Sequence, residues 1–321
     1  MSTAPAAAPA TAPPRPGTAA RRARRRSSLA PLLLLSPAGL VLAGVTIAPI
    51  VFLVLTSFTD YDQRSLFTGA YDVVGLAQYA DILGDPEFWL ALVRTLVFTS
   101  ALVAGSVLIG AGMSHLLTRL PAALRLLTTV VLILAWAMPN VASSLIWRWL
   151  FQPQYGVVNW LLTRTGLVGD LTSTNWAADP RLAWVCIWLL VVWQAVPFLA
   201  LTLHAAETQV PIERKEAARL DGASELAVYR VVVLPALRPT LLLVTMLSVI
   251  WDFNVFNQIW LVSAGGPDGA TSTLGVFTFT TAFSGGARIG TGSAIAVAST
   301  LILLALSAVY IRTLVRSGEE L

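Results

Sequence analysis

The sequence predicts an all-α, polytopic membrane protein with about six transmembrane helices. Three observations carry this. The 321-residue chain is 56% hydrophobic and only 12% charged, about half the charged share of a soluble domain. Its apolar residues come in long blocks rather than in the alternation of strands, and mean hydropathy is +0.74. The blocks also reach the roughly 20 residues that an apolar layer ~30 Å thick demands of a helix. Stretches free of Asp, Glu, Lys and Arg run through Leu29–Thr59, Thr95–Trp147 as divided at Arg119 and Arg125, Leu182–Ala206 and Ile289–Ile311. A further one, Pro239–Pro267, is interrupted only by Asp252.

Residues 1–28, rich in Ala, Pro and Arg, read as a disordered basic tail, and 29–321 as one membrane domain. The first apolar run is too long for the core of a signal peptide, so it is a retained span, with Pro37 and Pro49 kinking or bounding it. The second and third spans are expected near Leu92–Leu117 and Leu124–Trp149, separated from the fourth by 150–181. Tryptophans 147, 149, 160, 176 and 184 read as an interfacial belt there.

Orientation follows from the basic residues. With the tail inside, its six arginines join Arg119, Arg125, Arg214, Lys215, Arg219, Arg230, Arg238, Arg312 and Arg316, so fifteen of the 21 basic residues fall inside. The first outer loop instead holds Asp60, Asp62, Asp72, Asp81, Asp85 and Glu87. Both termini and the charged loop 205–238 are therefore predicted to be cytoplasmic. The basic balance reflects this topology, with contact to membrane lipid, and not nucleic-acid binding.

That loop has a local grammar. Pro211 suits a first helical turn, Gly222 the left-handed position that stops a helix, and Ser224 the cap of the next one. Pro235 marks the end of that second helix or a kink. Two short helices with a sharp turn, lying along the membrane surface, are predicted. Ala217 and Ala218 leave a small-residue face for a partner's groove, and Glu216 offers a carboxylate to a partner's arginine.

Polar groups inside spans are costly and face the bundle interior. Three clusters stand out: Asn140 with Ser143; Gln194; and Trp251, Asp252, Asn254, Asn257 and Gln258. At 1.5 Å per residue, Asn140 lies ~22 Å from Arg125, Asp252 ~20 Å from Pro239, and Gln194 ~18 Å from Leu182. All fall between the midplane and the outer half. Asn254, Asn257 and Gln258 are expected on one helical face. Amides and a carboxylate beside indole rings suit a sugar, with hydroxyls at its edges and C–H groups on its faces; the competing reading is hydrogen bonding between helices, worth about 1 kcal/mol each.

The run Glu216-Ala217-Ala218-Arg219-Leu220-Asp221-Gly222, with Leu234-Pro235 after Ala223–Val233, resembles the coupling-loop signature of bacterial ABC importer permeases. That signature is Glu-Ala-Ala, three residues, Gly, nine residues, Ile-x-Leu-Pro; Val232 stands at the Ile position. Phe253-Asn254-Val255-Phe256 and Gly265-Gly266-Pro267 resemble sugar-importer permeases of the maltose permease F chain family, in the di- and oligosaccharide branch. Arg94 stands where that family usually has Asn. Trp193-Gln194-Ala195-Val196-Pro197 and the closing Arg316–Glu320 are similar to actinobacterial chitobiose-type permeases.

The resemblance implies a type I importer fold in a bacterial plasma membrane and half of a translocation path for a di- or oligosaccharide such as chitobiose, cellobiose or maltose. The implied partners are a second permease, an ATPase homodimer and an extracytoplasmic sugar-binding lipoprotein. Coupling would run through Glu216, Ala217, Ala218, Asp221, Gly222, Leu234 and Pro235. A P-loop needs Gly-x-x-x-x-Gly-Lys-Ser/Thr, and the single lysine, Lys215, follows Arg214. The chain is thus expected to be no enzyme and to hold no cofactor of its own, with ATP and magnesium on the ATPase.

Two rivals remain. A proton-coupled secondary transporter would use Asp252, but it leaves the Glu216–Pro235 signature unexplained. A membrane enzyme needs a catalytic constellation, which Asp252, His115 and His204 do not supply. The lone Cys186 and the two distant histidines give no metal site; the histidines read as interfacial.

Overall fold

The computed structural model describes residues 30–316, all helices and loops apart from one isolated bridge between Thr59 and Val73. The tail 1–28 and the closing 317–320 lie outside the described residues. The chain divides into two compact units, residues 1–55 and 56–321, and each is described by itself. Among the described residues, five helices are long and apolar enough to cross a membrane, or six when a bent pair counts as one span. The expected span number is met, though not by six straight rods.

Among the described residues, the first unit is formed by one helix, α1 (Leu33–Thr56, whose last residue enters the second unit). Pro37 lies inside it without ending it, and a π turn at Ala43–Ile47 comes just before Pro49. The same pairing recurs in the second unit, where a π turn at Tyr229–Val233 precedes Pro235. A proline ring lacks the N–H for its turn and crowds the carbonyl four residues back; a widened turn relieves both demands. Neither Pro49 nor Pro235 ends its helix, so of the two expected outcomes, an end or a kink, the end is not taken.

In the second unit the spans are α2 (Pro86–Arg119), the pair α3 (Ala122–Trp136) and α4 (Asn140–Leu150), α5 (Pro180–Glu207), α7 (Glu225–Phe253) and α10 (Ile289–Arg316). Between them lie α6 (Ile212–Leu220), α8 (Asn257–Ser263) and α9 (Leu274–Phe283). Two spans start alike. Asp85 and Asp179 cap α2 and α5, each accepting from the backbone N–H two residues on, at 2.9 and 2.8 Å, with proline as the first helical residue. That arrangement satisfies helix-end donors while losing none.

Helix α5 is the centre of this unit. Half of its apolar window is buried, against 28% for α2 and 11% for α10, and Ile187, Leu190, Leu199 and Leu203 are fully enclosed. It meets α2 through glycines. A methyl added at Gly110 would lie 2.8 Å from Leu199 Cβ, and one at Gly105 would run into the Trp188 ring. The two helices therefore approach as closely as their backbones permit.

The third span is the main departure. A single helix near Leu124–Trp149 is expected, but α3 and α4 meet at 99° around Ala137–Pro139. Proline bars the preceding residue from the helical region and starts a new helix well, so Pro139 turns the chain. The tryptophans divide as well. Trp149 and Trp160 are exposed as a belt requires, whereas Trp176 is 8% exposed and donates Nε1–H to Asn159 Oδ1 at 2.7 Å. Trp147 stacks on Phe151, and Trp184 packs 4.3 Å from Phe98. Those three belong to the core.

Candidate functional site

The α3–α4 bend, the middle of α5 and the break between α7 and α8 line one cavity of about 470 Å³, within the roughly 300–1,000 Å³ range of ligand sites. Asn140, at the start of α4, and Gln194, in mid-α5, face Trp251, Asp252, Asn254, Asn257 and Gln258 across it. Trp136, Phe198 and Phe256 supply aromatic walls; Trp136 and Phe198 stack at 6.0 Å, and Phe198 meets Trp251 edge-on at 5.2 Å. Of the eight residues marked in the sequence as path candidates, seven line this cavity. Ser143 does not: fully buried, it lies one turn behind Asn140.

The amides are partly spoken for. Gln194 Nε2 donates to Asn140 Oδ1 at 3.2 Å and to Ser143 Oγ at 3.1 Å, and Gln258 Nε2 donates to Gln194 Oε1 at 3.3 Å. Hydrogen bonds between helices thus occur, as the competing reading requires, and they tie three helices around the cavity. Asn254 and Asn257, both exposed, are differently placed. Asn254 Nδ2 bonds back to the Ile250 carbonyl at 2.8 Å, while Asn257 has no side-chain hydrogen bond to a described residue.

Asn254, Asn257 and Gln258 do not share a helical face. Helix α7 stops at Phe253, residues 254–256 are non-helical, and α8 begins at Asn257. Spacing of three and four residues predicts a shared face only inside an unbroken helix. The break adds something instead. The end of α7 and the start of α8, with the α3–α4 bend, bring freed backbone groups to the cavity wall, and irregular backbone at membrane depth is tolerated where it lines such a space.

A second candidate surface is the loop between α5 and α7. Helix α6 runs Ile212–Leu220, with Pro211 one residue before it rather than in its first turn. Gly222 has φ +84°, as its stop role requires. The Gly222 N–H bonds to the Arg219 carbonyl and the Ala223 N–H to the Ala218 carbonyl, both at 3.0 Å, the paired closure of a Schellman turn. Ser224 caps the next helix by accepting from the Ala227 N–H at 3.3 Å. That next helix is no separate surface helix, however. It is the first turn of α7, continuous through the π turn and Pro235.

No residue of α6 is buried. Glu216 and Ala217 face outward, and Leu220 is 89% exposed. Leu234 and Pro235 are exposed about three turns into α7, and Asp221 caps the end of α6.

Sequence reasoning overlooked one constellation. Arg219 on α6 grips Glu225 at 2.8 and 3.3 Å, which holds its guanidinium above its usual, already high, pKa. Glu225 also accepts from Arg119 at 2.9 Å, and Arg119 Nε donates to His115 Nε2 at 3.1 Å. His115 Nδ1 lies 3.0 Å from Glu207, which also accepts from Ser114 at 3.2 Å. His115 is therefore no free interfacial histidine. The only signal in the sequence was an acid, Glu207, at the end of an apolar span.

The family signature described as a binding-protein-dependent transport system inner membrane component matches residues 106–318. The chain is 38% identical over 304 residues to the diacetylchitobiose uptake system permease protein DasB of Streptomyces coelicolor, covering 95% of this chain and 92% of that one. It is 31% identical to the trehalose/maltose transport system permease protein MalF of Thermococcus litoralis, covering 74% and 79%. Its fold is similar to that of a chain in a crystal structure of a bacterial alginate ABC transporter in complex with an alginate pentasaccharide-bound periplasmic protein. The TM-score is 0.76 at 16% identity, covering 93% of this chain and 98% of that one.

Proposed function

This chain belongs to the family of binding-protein-dependent transport system inner membrane components, and we propose that it forms half of the translocation path of an ATP-driven importer for a di- or oligosaccharide. It is an ABC transporter permease of the membrane. The observation that carries the finer reading is the exposed helix α6, closed by its Gly222 turn, in a chain that also holds a polar, aromatic-walled cavity. The coupling role of Glu216, Ala217, Ala218, Asp221, Gly222, Leu234 and Pro235 rests on it. The relatives' names, diacetylchitobiose and trehalose/maltose, support a sugar of two or more units.

ATP and magnesium are held by a separate ATPase, since the sequence has no P-loop. One ATPase of an identical pair grips α6, and the other grips the equivalent helix of a second, non-identical permease that completes the path. An extracytoplasmic binding protein delivers the sugar, and both termini face the cytoplasm. Against proton coupling through Asp252 stands its isolation: among the described residues it is the only titratable group lining the cavity, with no second one to hand a proton on.

Vesicles containing all four components, loaded with ATP and offered labelled diacetylchitobiose, cellobiose and maltose, are expected to accumulate at least one of them. Asp252→Asn is expected to retain that uptake. Proton-driven uptake by this chain alone, without ATP, would overturn the proposal.

The path residues make a second expectation. Asn254→Ala with Asn257→Ala removes two exposed amides on the cavity wall, each able to bond a substrate hydroxyl for about 1 kcal/mol, so transport should fall by roughly tenfold or more with assembly and ATPase activity intact. Unchanged uptake in the assembled double variant would return these amides to a purely structural role.

A further inference from the structure

Six residues on four helices form one uninterrupted chain of polar contacts at the inner end of the spans. It starts on α6 with Arg219, passes to Glu225 at the start of α7, returns through Arg119 and His115 on the last turns of α2, and ends at Glu207, the last residue of α5, which Ser114 of α2 also meets. Glu225 accepts from an arginine on either side, and from Arg119 the donors run one way, toward Glu207. Arg119 Nε has only a proton to give, so His115 Nε2 accepts it, and the ring proton sits on Nδ1, facing Glu207. The ring is further fixed by Tyr229 of α7, edge-on at 4.7 Å.

The two ends of the chain differ in burial. The Glu225 pairs are about half exposed, and such ion pairs add little stability. Glu207 has a side chain only 2% exposed and depends on two neutral donors. A buried carboxylate is tolerated only while its partners are in place. A shift of α6 that pulls Glu225 and Arg119 is therefore felt at the end of α5 through His115. From there α5 and α2 move as a pair, locked by the contacts at Gly105 and Gly110, and α5 carries Gln194 into the cavity about 20 Å further along.

We propose that Arg119, His115 and Glu207 are positioning residues that link α6 to the α2–α5 pair, so that docking of the ATPase on α6 alters the cavity wall at Gln194. The inference rests on the importer reading, and its test separates the two. The assembled wild-type transporter in vesicles is first required to show ATP-driven uptake; failure there overturns the importer reading itself.

Arg119→Met is then expected to assemble and hydrolyse ATP at near wild-type rate, but to move roughly tenfold less sugar per ATP. Arg119→Lys, which keeps the charge but loses the planar fork that reaches Glu225 and His115 together, should recover only part. Arg125→Met, at a nearby arginine with no ion pair among the described residues, should leave the ratio unchanged. If Arg119→Met does not assemble, the isosteric Glu207→Gln carries the same test. A wild-type ratio of sugar to ATP in the assembled variant, or a proportional fall of uptake and hydrolysis, overturns the proposal.

Discussion

Gly222→Val is expected to abolish most ATP-driven uptake while leaving the chain folded in the membrane. The residue sits at φ +84°, and a side chain there would meet nothing within 4 Å. The cost is thus one of backbone and not of space, about 1–2 kcal/mol for an ordinary residue and more for a β-branched one. Relief comes by swinging φ negative, which breaks the bonds from Gly222 and Ala223 back to Arg219 and Ala218 and redirects the chain into α7. The surface of α6 and the Arg219–Glu225 pair then lose their mutual setting. Gly222→Asn, which tolerates the left-handed region, should keep most of the uptake. Comparing transport per inserted transporter across Gly, Asn and Val checks the order, and a Val variant that transports normally would remove the coupling role from this turn.

Gly110→Leu should have the largest effect on the folded chain itself. The first added carbon lands 2.8 Å from Leu199 Cβ and 3.5 Å from the Ala200 nitrogen, so the two central helices must separate along their length. Overpacking costs about 1–3 kcal/mol when the surroundings can adjust, and a helix seam with backbone on both sides adjusts poorly. A marked fall in melting temperature and in yield of detergent-purified protein is expected. Gly112→Leu, two residues along the same helix where nothing lies within 4 Å, is the matched control and should melt near wild type. Equal melting of the two variants would show that the α2–α5 approach is looser than described.

What could be read from the sequence was what depends on composition and local grammar. Apolar blocks gave the spans, because length and hydropathy set membrane crossing. Gly222 and Ser224 announced their turn and cap, because each satisfies a backbone demand within a few residues of itself. Asn140, Gln194 and the residues around Asp252 announced a polar interior, because such groups have nowhere else to go in an apolar layer. The breaks were harder. Pro139 bends its span by 99°, whereas Pro49 and Pro235 are absorbed by π turns; which outcome a proline produces depends on what packs around it. The end of α7 at Phe253 had no proline or glycine to mark it, so three amides that look like one stripe are divided by a loop. The link from Arg219 to Glu207 was invisible for a different reason: its bonded pairs are up to 106 residues apart, and a charged residue at a helix end ordinarily needs no partner.

Under the proposed docking on α6, the exposed Leu220 and Ile212 would also label every copy that finds no mate. Chaperones and proteases sort proteins by exposed apolar segments and unfolded fractions, and α6 shows them such a segment on a fully folded molecule. Surplus subunits would then be short-lived in proportion to their excess, and the cell would hold matched numbers of each component by turnover, without needing to synthesise them in equal amounts.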